Sequence, residues 1–245
     1  MSLTIDEELK AEGPDQPDEP PKQTTVVAQP TRTPFWKRPW VIPLWIVTGL
    51  FLYWQAGPFV GTPEVEAPIP PHDGFRPYYT LLILHIVFGT VAMVTSNFQV
   101  WPWLRRRFPA VHRWTGRVYV PSVIIGGGCG LIILKFAPVV GQIGAFMSTT
   151  LWIATTIVGY WAARTGRWRL HRRFMLYSFA LVMNNVWGLT AAKIIIEGGI
   201  NIDFTYLGEG ARWVGWVVDL MVVQWFLYRT ERRPVEGKRA RLASA

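Results

Sequence analysis

Six long apolar runs, at roughly 40–56, 79–101, 118–137, 141–163, 174–197 and 211–228, constrain this chain more than any other feature, because the segments between them alternate in charge. Most of the runs approach the ~20 residues that an α-helix needs to cross ~30 Å of hydrocarbon. Segment 102–117 holds Arg105, Arg106, Arg107, Arg113 and Arg117 with no acid, and segment 164–173 holds Arg164, Arg167, Arg169, Arg172 and Arg173. Segment 57–78 carries Glu64, Glu66 and Asp73 against Arg76, and 198–210 carries Asp203 and Glu209 with no base. The positive-inside rule then predicts an all-α, six-span protein of the bacterial inner membrane, with both termini and both arginine-rich segments in the cytoplasm. The first span is the weakest, being short and interrupted by Pro43, but removing it would spoil the alternation.

The sequence divides into three parts. Residues 1–34 are acidic and proline-rich without apolar periodicity, which predicts a disordered cytoplasmic tail; 35–228 form the membrane domain and 229–245 a basic cytoplasmic tail. The acidic start lacks the basic, then apolar, pattern of a cleaved signal peptide, so the first span is expected to direct insertion. Half the residues are apolar, and Trp36, Trp40, Trp101, Trp103, Trp161 and Trp213 stand near span ends, where indoles sit at headgroup level. Residues 31–245 carry a net +14, concentrated in the cytoplasmic segments. That basic face suits anionic lipids at about 1 kcal/mol per Lys or Arg, and points away from nucleic acid as a partner. The single cysteine, Cys129, excludes an intrachain disulfide and is expected to be packing filler.

Helices associate in a bilayer through close backbone approach and interhelical hydrogen bonds, so small and weakly polar residues mark buried faces. His85, Gly89, Ala92, Ser96 and Gln99 form one stripe on the second span. Comparable stripes on spans 3 to 5, including Gly126, Gly144, Gly159, Ser178, Asn185 and Gly188, predict a four-helix core flanked by spans 1 and 6. The segments RFPAVHRWTGRVYV and RTGRWRLHRRFMLY form a weak internal echo, from duplication or from two similar ways of anchoring a hairpin.

Few residues carry chemistry. His85 lies about six residues, hence ~9 Å, into span 2. It is either a haem ligand or proton relay, or a neutral imidazole hydrogen-bonded across a helix interface. His112 and His171, each followed by an arginine, occupy equivalent places before spans 3 and 5. With Arg113 and Arg172 they form a basic level suited to carboxylates, phosphates or lipid headgroups, one sharp version being a bis-His haem b whose propionates meet the arginines. The bland version is topological anchoring. Asp219, near the middle of span 6, would cost at least ~2.5 kcal/mol unpaired. It is either a proton or substrate site, or a structural clasp to Asn184, Asn185 or Lys193. No zinc-spaced His and Cys set, P-loop, nucleophile elbow or dinucleotide fingerprint is present, so no metal site is expected.

The strings LHIVFGTVAMVTSNFQVW (84–101), RRRFPAVHRWTGRVYV (105–120) and ARTGRWRLHRRFMLYSFAL (163–181) resemble a bacterial family of multi-pass membrane proteins grouped under a domain of unknown function. The matching residues are His85, Gly89, His112, Arg113, Trp114, Gly116, Arg117, His171, Arg172, Phe174 and Met175, within about 79–195. That resemblance implies a four-helix membrane core and no established activity. The plan is also distantly similar to di-haem cytochromes of the b561 and ferric-reductase type, from which this chain departs because two bis-His haems need four core histidines. Three functional readings follow: a redox component binding one b-type haem or a quinone through His85, His112 and His171; an accessory or assembly subunit that packs against other membrane subunits and binds anionic lipids; and a proton-coupled transporter using Asp219.

Overall fold

The computed structural model describes residues 40–69 and 74–231. The expected acidic tail, Trp36, Asp73 and most of the basic C-terminal tail lie outside the described residues. The described chain is helical: α1 (Val41–Gln55), α2 (Tyr78–Val100), the short α3 (Pro102–Arg107), α4 (Pro109–Ile133), α5 (Gln142–Arg164), α6 (Trp168–Glu197) and α7 (Phe204–Arg229). Five of these, α1 extended to Phe59, α2, α4 extended to Phe136, α5 and α6, are long and apolar enough to cross a membrane. The remaining long helix, α7, has the length of a span but a more polar composition, with Glu209, Arg212 and Asp219 on it. Pro43 is accommodated in the first turn of α1, where its missing N–H has no intrahelical partner to lose.

Two helices start earlier than the apolar runs suggest. α4 begins at Pro109 and α6 at Trp168, so most of both arginine-rich segments is helix, and only 165–167 separate α5 from α6. Hydropathy locates where a helix enters hydrocarbon. It does not locate the helix start, which can extend into the headgroup region with arginines along it.

Antiparallel registry runs through the bundle. His85 faces Gly126 and Gln99 faces His112 across α2 and α4. Thr156 meets Ser178 and His171 meets Gly159 across α5 and α6. Asn97 donates to Thr48 of α1 at 3.1 Å. These contacts give each long helix the reverse direction of its predecessor, with the arginine-rich segments at one end of the bundle and Glu64, Glu66, Asp203 and Glu209 at the other. The small residues fall at the closest approaches. A Cβ on Gly126 would lie 3.1 Å from the Phe88 Cβ and 3.2 Å from the Gly89 nitrogen, and one on Gly127 would lie 2.9 Å from Ile153.

The four-helix core gains a further member. α7 presents Gly208, Ala211 and Gly215 to its neighbours: Gly188 of α6 abuts the Ala211 carbonyl, and Gly215 abuts the Asn184 side chain. The expectation that the last span only flanks the core is corrected by this small-residue face, which apolar content alone does not reveal. Trp213 is also not a headgroup anchor; it packs against Gly144 and Trp216 inside the α5–α7 contact. One cluster of buried side chains draws on all six long helices, from Phe51 of α1 through Met93, Tyr119, Trp152 and Val186 to Trp216 of α7.

Candidate functional site: two anchored imidazoles

The bundle's centre is a closed chain of hydrogen bonds. The Trp152 indole donates to the Tyr119 oxygen at 3.1 Å, Tyr119 and Ser178 hydroxyls lie 2.5 Å apart, Ser178 and Thr156 hydroxyls 2.6 Å apart, and Thr156 donates to the Trp152 carbonyl at 2.7 Å. With each group donating once and accepting once, the chain starts and ends on Trp152 and no proton lacks a place. Tyr119, Thr156 and Ser178 are fully buried. A satisfied network of this kind rigidifies α4, α5 and α6 at one level. Ser178 belonged to a stripe legible in the sequence. Tyr119 and Trp152 gave no signal, because a buried hydroxyl or indole reads as one more aromatic in an apolar run.

This network also sets the level of the histidines. Tyr119 and Ser178 are 59 residues apart in sequence. His112 and His171 have the same separation and each lies seven residues, two helical turns, earlier. The two histidines therefore occupy the same level and corresponding faces of parallel helices α4 and α6, at the arginine-rich end.

His85 is elsewhere. Its ring lies against Gly126, fourteen residues beyond His112 on α4, which places it about 21 Å along the helix from the other two. His85 cannot share an iron with His112 or His171, so a bis-His haem that includes His85 does not fit these residues.

His85 and His171 have a common local geometry. His85 Nδ1 is 2.8 Å from the Gly126 carbonyl oxygen, and His171 Nδ1 is 2.9 Å from the Gly159 carbonyl oxygen. A carbonyl only accepts, so in both rings Nδ1 carries the proton and the neutral ring keeps its lone pair on Nε2. Glycine makes room for the His85 ring, since a Cβ on Gly130 would lie 2.8 Å from its Nδ1, whereas a Cβ on Gly159 would meet the flexible Met175 side chain at 2.7 Å and not the His171 ring. Each ring has an arginine from another helix within electrostatic range, Arg212 of α7 for His85 and Arg105 of α3 for His171. The Trp168 ring stands edge-on to His171 at 6.2 Å. Both rings are half-buried.

The other candidates separate. The His112 backbone carbonyl accepts from Gln99 Nε2 at 2.8 Å, and Gln99 also reaches the Thr115 hydroxyl, so this part of α4 is clamped to the end of α2. Arg113 is exposed. Arg172 turns to the end of α7, donating to the Thr230 hydroxyl at 2.5 Å and lying 5.7 Å from the Phe226 ring. Asp219 is half-buried, and its Oδ2 makes no hydrogen bond among the described residues. Neither expected clasp forms: Lys193 pairs with Glu197 at 3.0 Å, and Asn185 is exposed while its neighbour Asn184 is the one turned toward α7. Among the described residues no three His, Cys, Asp or Glu side chains are placed to hold a metal ion.

Residues 82–227 match a family model described as "Predicted membrane protein (DUF2306)". The chain belongs to that family. The match runs through α7, beyond the 79–195 that the sequence motifs cover, which agrees with the packing of α7 into the bundle. No curated protein and no solved structure matches the chain. This DUF2306 member is thus an integral membrane protein with several apolar helices, whose fixed imidazoles are its most distinctive chemistry.

Proposed function

We propose that this protein is a membrane redox component that binds a quinone through single imidazoles, with its arginine-rich end and both termini on the cytoplasmic side of a bacterial inner membrane. One observation carries the reading: His171 and His85 each surrender Nδ1–H to a glycine carbonyl on the adjacent helix, which fixes the tautomer and leaves Nε2 as an acceptor. An Nε2 lone pair accepts the hydroxyl proton of a quinol, and an arginine in range stabilises the negative charge of a reduced quinone oxygen. His171 is the primary site, near the headgroup level at which a quinone ring enters from the bilayer. A haem that includes His85 does not fit, because His85 lies about 21 Å along α4 from the other two histidines; a bis-His haem would have to pair His112 with His171 and is the alternative ligand at that end.

The test is binding of a short-chain quinone to the full-length protein in nanodiscs, followed by quenching of tryptophan fluorescence, with an absorption spectrum of the same sample. Saturable binding that His171→Ala weakens at least tenfold supports the reading. A Soret band lost in the same variant would replace quinone by haem, and unaltered quinone binding in His171→Ala would refute both.

A second reading has its own observation. Arg107, Arg117, Arg167, Arg173 and Arg229 lie 4.7–5.9 Å from the rings of Phe108, Trp114, Trp161, Tyr177 and Trp225, all toward the arginine-rich end. A belt of guanidinium groups held on aromatic faces suits anionic headgroups and an accessory subunit seated among other membrane proteins. Replacing phosphatidylglycerol by phosphatidylcholine in the nanodisc should lower thermal stability if the belt has this role, and leave it unchanged otherwise.

A further inference from the structure

The sites so far leave Asp219 unused. Asp219 closes the inner end of a lateral groove between α6 and α7, a cavity of about 510 Å³ that also reaches Trp187, Ala191, Tyr206, Val214 and Val218. The register that sets Gly188 against Ala211 and Gly215 against Asn184 runs the groove from the acidic end of the bundle to mid-helix. Trp187 is 47%, Val214 59% and Val218 48% exposed, so the groove opens sideways on the outer surface of the bundle, where lipid would lie.

Its chemistry is one-sided. The walls are aliphatic and aromatic, and Asp219 is the one ionisable carboxyl in the lining. Asp219 has no ion pair among the described residues, and its Oδ2 is buried without a hydrogen bond. One turn away, the 4%-exposed Asn184 leaves its Oδ1 equally without a donor. Of these two acceptors only Asp219 lines the groove, so the apolar cleft of ligand size ends on a buried carboxylate oxygen without a donor or positive charge.

We propose that this groove binds a membrane-soluble organic monocation, with the cationic head at Asp219 and the hydrocarbon part along Trp187 and Val214. Charge complementarity selects the sign, because an anion would add a second negative charge at a half-buried carboxylate. The lateral opening selects a lipophilic molecule, since entry is through the bilayer. Trp187 and Tyr206 put aromatic side chains in the groove lining, and aromatic faces favour cations over neutral molecules of equal shape.

The experiment uses the full-length protein in phosphatidylcholine nanodiscs and two probes of the same shape and opposite sign, tetraphenylphosphonium and tetraphenylborate, measured by equilibrium dialysis against empty nanodiscs. Saturable phosphonium binding at least tenfold tighter than borate binding is expected, together with a tenfold or greater loss in Asp219→Asn. Val214→Trp, which narrows the groove and leaves the carboxylate in place, should weaken binding similarly, and it carries the test if Asp219→Asn does not assemble. Equal binding of the two ions, or phosphonium binding that survives either variant in folded protein, would overturn the assignment. Neither variant touches His85 or His171, so quinone binding should be unaffected.

Discussion

Tyr119→Phe should destabilise the bundle through two protons rather than through lost packing. The substitution keeps the ring and removes one hydroxyl, which accepts from the Trp152 indole at 3.1 Å and pairs with Ser178 at 2.5 Å. Because this level is sealed from water, the indole N–H is left buried without an acceptor, a cost of about 1–3 kcal/mol. The lost Tyr–Ser bond adds ~0.6 kcal/mol, the mean for side-chain hydrogen bonds between membrane helices. The expected loss is about 2 kcal/mol. Ser178→Ala should cost about 1–3 kcal/mol, since the buried Tyr119 hydroxyl loses its acceptor while Thr156 retains the Trp152 carbonyl. The double variant should be less than additive by about 1 kcal/mol, because the two changes remove the same bond. Reversible unfolding in mixed micelles by increasing denaturing detergent measures all three. A Tyr119→Phe effect below about 0.5 kcal/mol, or strict additivity, would refute the closed-chain account.

Other predictions use the same assay or a close relative. Gly188→Ala places a Cβ on the Ala211 carbonyl, where backbone meets backbone and neither can yield; it should destabilise by about 1–3 kcal/mol or block assembly. Gly210→Ala meets nothing within 4 Å and should be neutral or slightly stabilising. Gly130→Ala puts a Cβ 2.8 Å from the His85 Nδ1 and should weaken any ligand bound at His85 without affecting one at His171. Asp203 caps α7 by accepting the Thr205 amide at 2.8 Å, which holds its carboxyl below the usual carboxylate range. A lowered folded pKa means the cap is present above the unfolded value and is lost as pH falls through the folded one. The exchange protection of the Thr205 amide should therefore fall in that acidic window, and Asp203→Asn should show no such step.

How far the sequence reads depends on the kind of force involved. The helices and their alternation followed from hydropathy and arginine placement, since both are responses to the bilayer itself. The stripe from His85 to Gln99 was legible because close helix approach requires small residues at a fixed period, and its members do meet α4. The paired levels of His112 and His171 were legible from their matching motifs, while the closeness of α4 and α6 needed the Tyr119–Ser178 contact. Three things were hidden. The tautomers of His85 and His171 depend on glycine carbonyls 41 and 12 residues away. The role of α7 was masked because its small residues sit among bulky ones, so mean apolarity suggested a peripheral helix. The partners expected for Asp219 failed because position along a helix fixes depth but not azimuth: Asn185 turns outward, and Lys193 is taken by Glu197.

The central claim concerns the two imidazoles, and nitrogen NMR of protein labelled with 15N-histidine in nanodiscs tests it most directly. His85→Gln and His171→Gln identify the two resonances sets among the four histidines of the chain. The account predicts that both rings are neutral at pH 7 with the proton on Nδ1 and the lone pair on Nε2, and that a short-chain quinol shifts the His171 Nε2 signal saturably. A proton on Nε2 in either ring, or a His171 signal that ignores the quinol, would contradict it.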